Sequence, residues 1–289
     1  MSEVQSVQWF PGHMAKTRRK ISEDLKLVDI VAELLDARVP KSSANPVLRE
    51  ITRDKPRVVV LNKSDLADQK RTAQWVAFYK KNSLQAVPVE SKTGRGLPAL
   101  YQAIRQELQD QIAGWERKGM VGRPIRIMVL GVPNVGKSSI INRLISGGNV
   151  GKAEVKDKPG VTRQNRWFTV GKGFELLDTP GVLWPKFEDP IVGEHLAFTG
   201  AVKDEILDIE GLAGRLLELL VKLYPQAVFN RYKLNVAAEK LKGYELLKVI
   251  GRKRGMLISG GEIDTERAAI AVLDEFRGGK LGPITLEWP

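Results

Sequence analysis

The sequence predicts an α/β fold with a mostly parallel sheet and helices on both faces, followed by a smaller all-α C-terminal domain. Apolar runs typical of strands alternate with helical patterns over residues 29–188. From about Ile191 onward helical patterns dominate, and no convincing strand pattern follows until the last few residues. A glycine-rich phosphate-loop pattern also follows one predicted strand and opens a predicted helix, as it does in such folds.

The predicted strands of the α/β part are apolar runs followed by polar or turn residues. They lie in DIVAELLDARVP (29–40), PRVVVLNKSD (56–65), LQAVPVESKTG (84–94), IRIMVLGV (125–132), NRWFTV (165–170) and FELLDTPG (174–181). Apolar residues at helical spacing predict one helix from Leu97 to Ile112, before a polar connection at 115–124.

Helical patterns in the C-terminal part lie in GLAGRLLELLVKLY (211–224), AAEKLKGYELLKVI (237–250) and TERAAIAVLDEF (265–276), with Asp264 as a potential cap of the last. We therefore expect three parts. They are a basic N-terminal helical segment at 1–28, an α/β domain at 29–188 and a helical, basic domain at 189–289.

Composition excludes several kinds of site. The chain has 289 residues, of which 43% are hydrophobic, so it can bury a sizeable core. It has no cysteine, which excludes disulfides, thiolate nucleophiles and thiolate zinc sites, and its two histidines disfavour a dedicated transition-metal site. No apolar run of about 18 residues is present, and the N-terminus lacks a secretory signal, so we expect a cytoplasmic protein with no integral membrane segment.

The net charge of +12 indicates a polyanionic partner, because lysine and arginine displace counterions from phosphates. RNA, DNA and anionic lipid all remain open on charge alone. Nine lysines and arginines lie between Lys222 and Arg254, against Glu239 and Glu245. The candidate RNA-binding residues are Lys16, Arg18, Arg19, Lys20, Arg231, Lys233, Lys240, Lys242, Arg252, Lys253 and Arg254.

The segment GVPNVGKS, which begins at Gly131, matches the phosphate-loop pattern G-x-x-x-x-G-K-[ST]. Its glycines let backbone N–H groups surround phosphate oxygens at a helix N-terminus. Lys137 supplies charge to the β- and γ-phosphates, and Ser138 is a candidate Mg²⁺ ligand. The candidate nucleotide-binding residues here are Asn134, Val135, Gly136, Lys137, Ser138 and Ser139.

Two segments after the phosphate loop have the chemistry of γ-phosphate and metal contacts. Asp178 of DTPG ends a predicted strand, where a carboxylate contacts Mg²⁺ through water, and Gly181 can offer its N–H to the γ-phosphate. Thr162, in KPGVTR, is the candidate whose hydroxyl reaches Mg²⁺ from a mobile loop. Thr169 and Thr179 are nearby alternatives for that role.

The segment NKSD, residues 62–65, has a chemistry suited to guanine. The Asp65 carboxylate can accept hydrogen bonds from guanine N1–H and the exocyclic amine, Asn62 can bond the base edge, and Lys63 can cover the ring with its alkyl stem. Adenine would leave that carboxylate unpaired, which opposes an ATPase. In SKTG after the next strand, Ser91 and Lys92 are further candidates, through backbone contacts to guanine O6.

These motifs resemble those of the translation-factor-related GTPases, and their order resembles that of the circularly permuted ones. NKSD and SKTG precede GVPNVGKS, Thr162 and DTPG, which is the motif order G4-G5-G1-G2-G3. The N-terminal WFPGHM, the strand end LDARVP and the turn SSANP make the chain similar to the family of ribosome biogenesis GTPase A, over essentially its whole length. The resemblance implies a permuted GTPase domain at 29–188, with the segment 1–28 packed on it.

The resemblance also implies slow hydrolysis, since Val182 follows DTPG where Ras-like enzymes have a water-positioning glutamine. We hypothesise that His13, in PGHM, supplies the missing group, so that the catalytic residues are His13, Lys137 and Thr162. Asn134 matches the position of a K⁺ ligand in potassium-activated GTPases. The expected cofactors are therefore Mg²⁺, held by Ser138, Thr162 and Asp178, and K⁺.

The function implied is that of a GTP-hydrolysing assembly factor of the large (50S) ribosomal subunit. We expect it to act as a monomer, to bind rRNA and neighbouring ribosomal proteins with GTP, and to leave after ribosome-stimulated hydrolysis to GDP. The alternative is a regulatory GTPase associated with tRNA or a membrane surface. A permuted small-subunit GTPase is disfavoured, because its cysteine zinc site and N-terminal barrel are missing from the sequence.

Overall fold

The computed structural model describes residues 11–146, 167–170, 173–177, 189–235, 238 and 240–289, without the side chains of residues 11–15 and 17. The chain divides into two compact units. The first unit comprises Met1–Phe187 together with Glu287–Pro289, and the second comprises Glu188–Leu286.

A six-stranded sheet forms the centre of the first unit. Its strands are β1 (Ile30–Asp36), β2 (Arg57–Asn62), β3 (Gln85–Val89), β4 (Ile125–Gly131), β5 (Trp167–Val170) and β6 (Phe174–Leu177). Their order is β3-β2-β1-β4-β6-β5, and every neighbouring pair is parallel except β5 with β6. The predicted α/β fold with a mostly parallel sheet is confirmed.

The register of the sheet brings the polar strand ends together. Asp36 at the end of β1 pairs with Asn62 of β2, and Asn62 pairs with Val89 of β3. On the other side of β1, Leu34 pairs with Gly131 of β4. The carboxyl ends of four adjacent strands therefore lie along one edge, where ligands bind in folds of this kind.

Six α-helices are described in the first unit. They are α1 (Pro11–Asp24), α2 (Pro46–Thr52), α3 (Gln69–Lys81), α4 (Leu97–Glu107), α5 (Gln109–Arg117) and α6 (Lys137–Ile145). Side-chain caps fix the first residues of two of them, because Asn45 accepts hydrogen bonds from the first turn of α2 and Asp68 does the same for α3.

The prediction of one continuous helix from Leu97 to Ile112 is wrong, because the structure has two helices there. The structure divides this stretch at Leu108, which is fully buried between α4 and α5. The periodicity does not reveal the break, because Leu108 still provides the inward apolar side chain that a continuous helix would place there. Helix α5 also runs to Arg117, so the predicted connection at 115–124 begins inside a helix. The first residue with a positive φ after it is Gly119, at +79°.

The last three residues of the chain belong to the first unit. The Glu287 carboxylate accepts hydrogen bonds from the backbone N–H of Lys41, at 2.6 Å, and from the backbone and hydroxyl of Ser42. The indole N–H of Trp75 donates to the Glu287 carbonyl at 3.3 Å. These contacts hold the C-terminus on the loop that follows β1.

The described residues of the second unit form five α-helices and no strand. They are α7 (Pro190–Phe198), α8 (Ile209–Leu223), α9 (Pro225–Tyr232), α10 (Gly243–Lys253) and α11 (Thr265–Arg277). Helix α8 packs against both α10 and α11. As predicted, Asp264 caps α11, where its side chain accepts from the backbone N–H of Arg267 at 2.9 Å. No helix in the described part of the chain is long and apolar enough to span a membrane.

The helix predicted at 237–250 begins later than expected, at Gly243. The Glu245 carboxylate accepts from the backbone N–H of Lys242 at 2.9 Å and so fixes the first turn. Gly243 also approaches α8 closely, since an added Cβ would lie 2.2 Å from the carbonyl oxygen of Gly214. A glycine at this position lets the backbones of the two helices meet.

Candidate nucleotide-binding site

The phosphate loop joins the end of β4 to the start of α6 at the edge of the sheet where the polar strand ends meet. Gly136 precedes α6 with a φ of +98°, and a Cβ there would lie 2.3 Å from the side-chain nitrogen of Asn62. Only glycine fits both the backbone angle and the space. The N-terminus of α6 thus faces the loop with unpaired backbone N–H groups and the positive end of its dipole, as phosphate binding requires.

Lys137, the first residue of α6, folds back over this loop. Its ammonium donates to the carbonyl oxygens of Gly131 at 3.2 Å and Val132 at 2.9 Å. Burial lowers the pKa of Lys137 to about 8. A phosphate bound beside this ammonium would favour its protonated form, because the phosphate is negatively charged.

Asn62 forms hydrogen bonds to both the phosphate loop and the SKTG loop. It is fully buried at the end of β2, its amide nitrogen donates to the Val135 carbonyl at 2.8 Å, and its amide oxygen accepts from the Ser91 N–H at 3.3 Å. Ser91 opens the predicted SKTG loop, and Val135 belongs to the phosphate loop. The contact of Asn62 with the base edge stays a prediction, and the structure adds that its amide connects the loops on either side.

Lys63 makes the second connection between the guanine motif and the phosphate loop. Its backbone is left-handed, with a φ of +59°, and its ammonium donates to the Asn134 carbonyl at 2.6 Å. The same ammonium lies 3.0 Å from a carboxylate oxygen of Asp36. Asn134 is itself left-handed, with a φ of +55°, and its side chain is exposed.

A buried ion pair between Asp36 and Arg38 holds Lys63 in place. Asp36 ends β1, the strand between β2 and β4, and accepts from the Arg38 guanidinium at 2.9 and 2.8 Å. Both side chains are almost fully buried. Burial by itself raises the pKa of Asp36, but the charges of Arg38 and Lys63 outweigh it and hold that pKa well below its usual range. Asp36 is thus ionised at neutral pH and holds the Lys63 ammonium.

The remaining guanine candidates lie in the loops beside Lys63. Asp65 is exposed in the 3₁₀ turn Ser64–Leu66 that directly follows it. Lys92 is also exposed, and the backbone of its loop is held from α6, because the Arg143 guanidinium donates to the carbonyls of Lys92 at 3.1 Å and Thr93 at 2.5 Å. An exposed carboxylate beside a firmly held loop suits a base with adjacent N–H donors.

Sequence reasoning missed Asp36, Arg38 and Arg143 as parts of the site. Asp36 and Arg38 stand in LDARVP, where a polar pair directly follows an apolar strand, and that position was the available signal. Arg143 carried no such signal, because it lies among the apolar residues of α6 and its partners are about 50 positions away in the chain.

The exposed hydroxyl of Ser138, in the first turn of α6, suits Mg²⁺. This ion prefers oxygen ligands and usually takes few from the protein beside those from phosphates and water. The described residues contain no cluster of three metal-ligating His, Cys, Asp or Glu side chains. The predicted partners Thr162, Asp178 and Gly181 lie outside the described residues. The backbone of His13 lies in α1, and its side chain is not described.

The basic candidates near the N-terminus are on or near the surface of α1. Lys16, Arg18 and Arg19 are exposed, and Lys20 is half-buried. Arg18 pairs with Glu50 at 2.9 Å and Arg19 with Glu23 at 3.0 Å. Such exposed pairs contribute little stability and open readily for a phosphate.

In the second unit, two candidate arginines share one acidic partner. Arg231 and Arg254 both donate to the Glu275 carboxylate, at distances between 2.5 and 3.1 Å. Burial opposes ionisation of Glu275, but hydrogen bonds from the two arginines lower its pKa to about 2. The other candidates described here, which are exposed, are Lys233, Lys240, Lys242, Arg252 and Lys253.

Comparison with known proteins supports one family throughout. A family model described as 50S ribosome-binding GTPase matches residues 126–235. Ribosome biogenesis GTPase A of Bacillus cereus is 47% identical over 283 residues, which cover 98% of this chain and 94% of that protein. The Thermotoga maritima protein of the same name is 32% identical over 286 residues, covering 98% of this chain and 95% of its own length.

A solved structure extends the comparison. The crystal structure of GNP-bound YlqF from T. maritima matches with a TM-score of 0.67 and 27% identity, covering 95% of this chain and 98% of that one. A mostly parallel sheet whose guanine loops precede its phosphate loop defines a circularly permuted P-loop GTPase. The chain belongs to the family of ribosome biogenesis GTPase A and is a GTP-binding ribosome biogenesis factor.

The pKa of Lys137 leads to a testable pH dependence. Because bound phosphates favour the protonated ammonium, GDP affinity should change little below pH 7.5 and fall as the pH rises through about 8, on the order of fivefold to tenfold by pH 9. Equilibrium titration with a fluorescent GDP analogue measures this. Lys137→Met should bind GDP weakly and lose the part of the fall in affinity that comes from Lys137. Lys80→Met, a change of an exposed lysine on α3, should keep it. An equal fall in Lys137→Met would contradict the assignment.

Proposed function

We propose that this chain is a GTP-hydrolysing assembly factor of the large ribosomal subunit, which docks on rRNA with GTP and leaves after hydrolysis. The observation that carries the proposal is the direct connection of the guanine loops to the phosphate loop through Asn62 and Lys63, in a chain whose relatives are named ribosome biogenesis GTPase A. We also propose that it acts in the cytoplasm as a monomer, in which residues 29–188 form the switch and 189–289 bind RNA.

The residues of the first unit have separate tasks in binding GTP. The first turn of α6 offers N–H groups to the phosphates, and Lys137 adds a positive charge there. Asp65 accepts from the guanine edge, while Asp36 and the Asn134 carbonyl hold Lys63 beside it. Mg²⁺, when bound, neutralises phosphate charge; Ser138 is its proposed ligand here, with Thr162 and Asp178 as the other candidates.

The permuted order gives the γ-phosphate contact a particular place in the chain. Strand β6 ends at Leu177, and DTPG follows at 178–181. Only a few residues then separate Gly181 from the second unit, which begins at Glu188. We propose that a shift of Gly181 with loss of the γ-phosphate is passed along this short connection and changes RNA binding.

RNA docking is supported by charge. The chain has a net charge of +12, and the cations of the second unit concentrate between Lys222 and Arg254. Their attraction to phosphates is general, so binding should weaken steeply with salt. This property separates docking on rRNA from apolar association with a ribosomal protein.

Sedimentation with ribosomal subunits tests the proposed docking. In the presence of a non-hydrolysable GTP analogue, the chain should sediment with large subunits and not with small ones, and it should remain near the top of the gradient with GDP. Raising the salt concentration should release it. Binding to tRNA or to anionic vesicles without preference for large subunits would contradict the proposal and favour a GTPase that acts elsewhere.

We further propose that hydrolysis is slow alone, near the ~10⁻⁴ s⁻¹ of an unassisted switch GTPase, and rises on the large subunit when His13 positions the attacking water. His13→Ala should then lose stimulation while GTP affinity and particle binding, measured in parallel, stay unchanged. Stimulation of the variant equal to that of the parent chain would refute the role of His13.

The same assay tests potassium. Asn134 is exposed on the phosphate loop, where an amide oxygen can bind a K⁺ ion that neutralises charge between the β- and γ-phosphates. Hydrolysis should therefore be faster in KCl than in NaCl, and Asn134→Ala should remove the difference. Equal rates in the two salts for the parent chain would exclude potassium activation.

A further inference from the structure

We propose that the outer face of α10 binds an RNA segment with an unpaired base, which stacks on Tyr244 while Lys248 and Arg252 contact the flanking phosphates. The inference rests on the proposed function, because it specifies which kind of RNA the second unit recognises. We call these three residues the α10 stripe.

The stripe follows from helical geometry. Tyr244, Lys248 and Arg252 are spaced by four residues within Gly243–Lys253, so they lie one above another on the same side of the helix. All three are exposed, whereas Leu246, Leu247 and Ile250 are buried on the inner side. The stripe is therefore the solvent face of an anchored helix.

Its cations are available to a ligand. Within the described part of the chain, neither Lys248 nor Arg252 is paired with a carboxylate. In contrast, Arg231 and Arg254, which the sequence also suggested for RNA, are both held by Glu275. From Lys240 to Lys253 there are five lysines and arginines against the single carboxylate of Glu245, which caps the helix. The stripe thus presents positive charge that the fold does not neutralise.

Tyr244 distinguishes this face from a purely electrostatic one. Tyr244 is 49% exposed, so part of its ring faces solvent on the outer side of α10. The Lys248 ammonium lies 4.7 Å from the ring centroid and orients the ring by a cation–π contact. An exposed aromatic ring among cations is the arrangement on which single-stranded bases stack, while bases in a duplex are already stacked on one another.

Fluorescence anisotropy with the full chain tests the stripe, with two labelled probes of equal phosphate number: an adenine-rich single-stranded RNA and a blunt RNA duplex. Tyr244→Ala should weaken binding of the single strand about fivefold or more and leave duplex binding and the salt slope unchanged. Tyr244→Phe keeps the ring and should stay within about twofold of the parent chain. Lys248→Ala and Arg252→Ala should each reduce the salt slope by about 0.7 for the single strand.

Arg267→Ala is the matched control, because Arg267 is an exposed cation of the same unit on α11. It should leave single-strand affinity almost unchanged. The stripe would be refuted if Arg267→Ala and Arg252→Ala lost the same amount of single-strand affinity. It would also be refuted if Tyr244→Ala lost the same amount of affinity for both probes. The stripe and the proposed function fail separately. An unaffected Tyr244→Ala with intact binding to large subunits refutes only the stripe, whereas single-strand selectivity without particle binding refutes only the ribosomal role.

Discussion

The nucleotide site depends on the close approach of the guanine loop to the phosphate loop. Asn62 enters the space that a side chain at Gly136 would fill, and its amide bonds to the phosphate loop on one side and the SKTG loop on the other. Strands β2 and β4 are not neighbours, since β1 lies between them. Asp36, the residue that ends β1, therefore lies between the two loops, where its carboxylate holds the Lys63 ammonium that reaches the Asn134 carbonyl.

Contacts between buried charged groups fix the positions of the side chains in this arrangement. An isolated carboxylate as deeply buried as Asp36 would be costly, but Arg38 and Lys63 compensate it with direct contacts. Removing Arg38 or Lys63 would be strongly destabilising, because the buried charge of Asp36 would lose one of the groups that compensate it. The Lys63 ammonium is consequently restricted to one position, where its alkyl stem can lie over the base. Preorganisation of this kind reduces the ordering cost that a ligand would otherwise incur.

Motifs with a fixed spacing could be read from the sequence, and contacts between distant residues could not. The phosphate loop, NKSD and the strands around them followed from local residue chemistry and apolar periodicity. The clamp of Arg231 and Arg254 on Glu275, and the return of Glu287 to the loop at Lys41, join residues remote in the chain. Local patterns also failed at Leu108, whose inward side chain conceals a helix break, and at Gly243, where contact with Gly214 accompanies the late start of α10.

The guanine loop is held to the phosphate loop through Asp36 and Lys63, and a double-mutant cycle measures the coupling between these two residues. GDP affinity would be measured for Asp36→Asn, Lys63→Met and the double variant, with Glu33→Gln as a control that removes another buried carboxylate from β1. Coupling of about 1 kcal/mol or more between the two changes, with near-normal affinity in Glu33→Gln, is the result expected. Additive losses within about 0.5 kcal/mol would contradict the claim, because Asp36 would then act independently of Lys63.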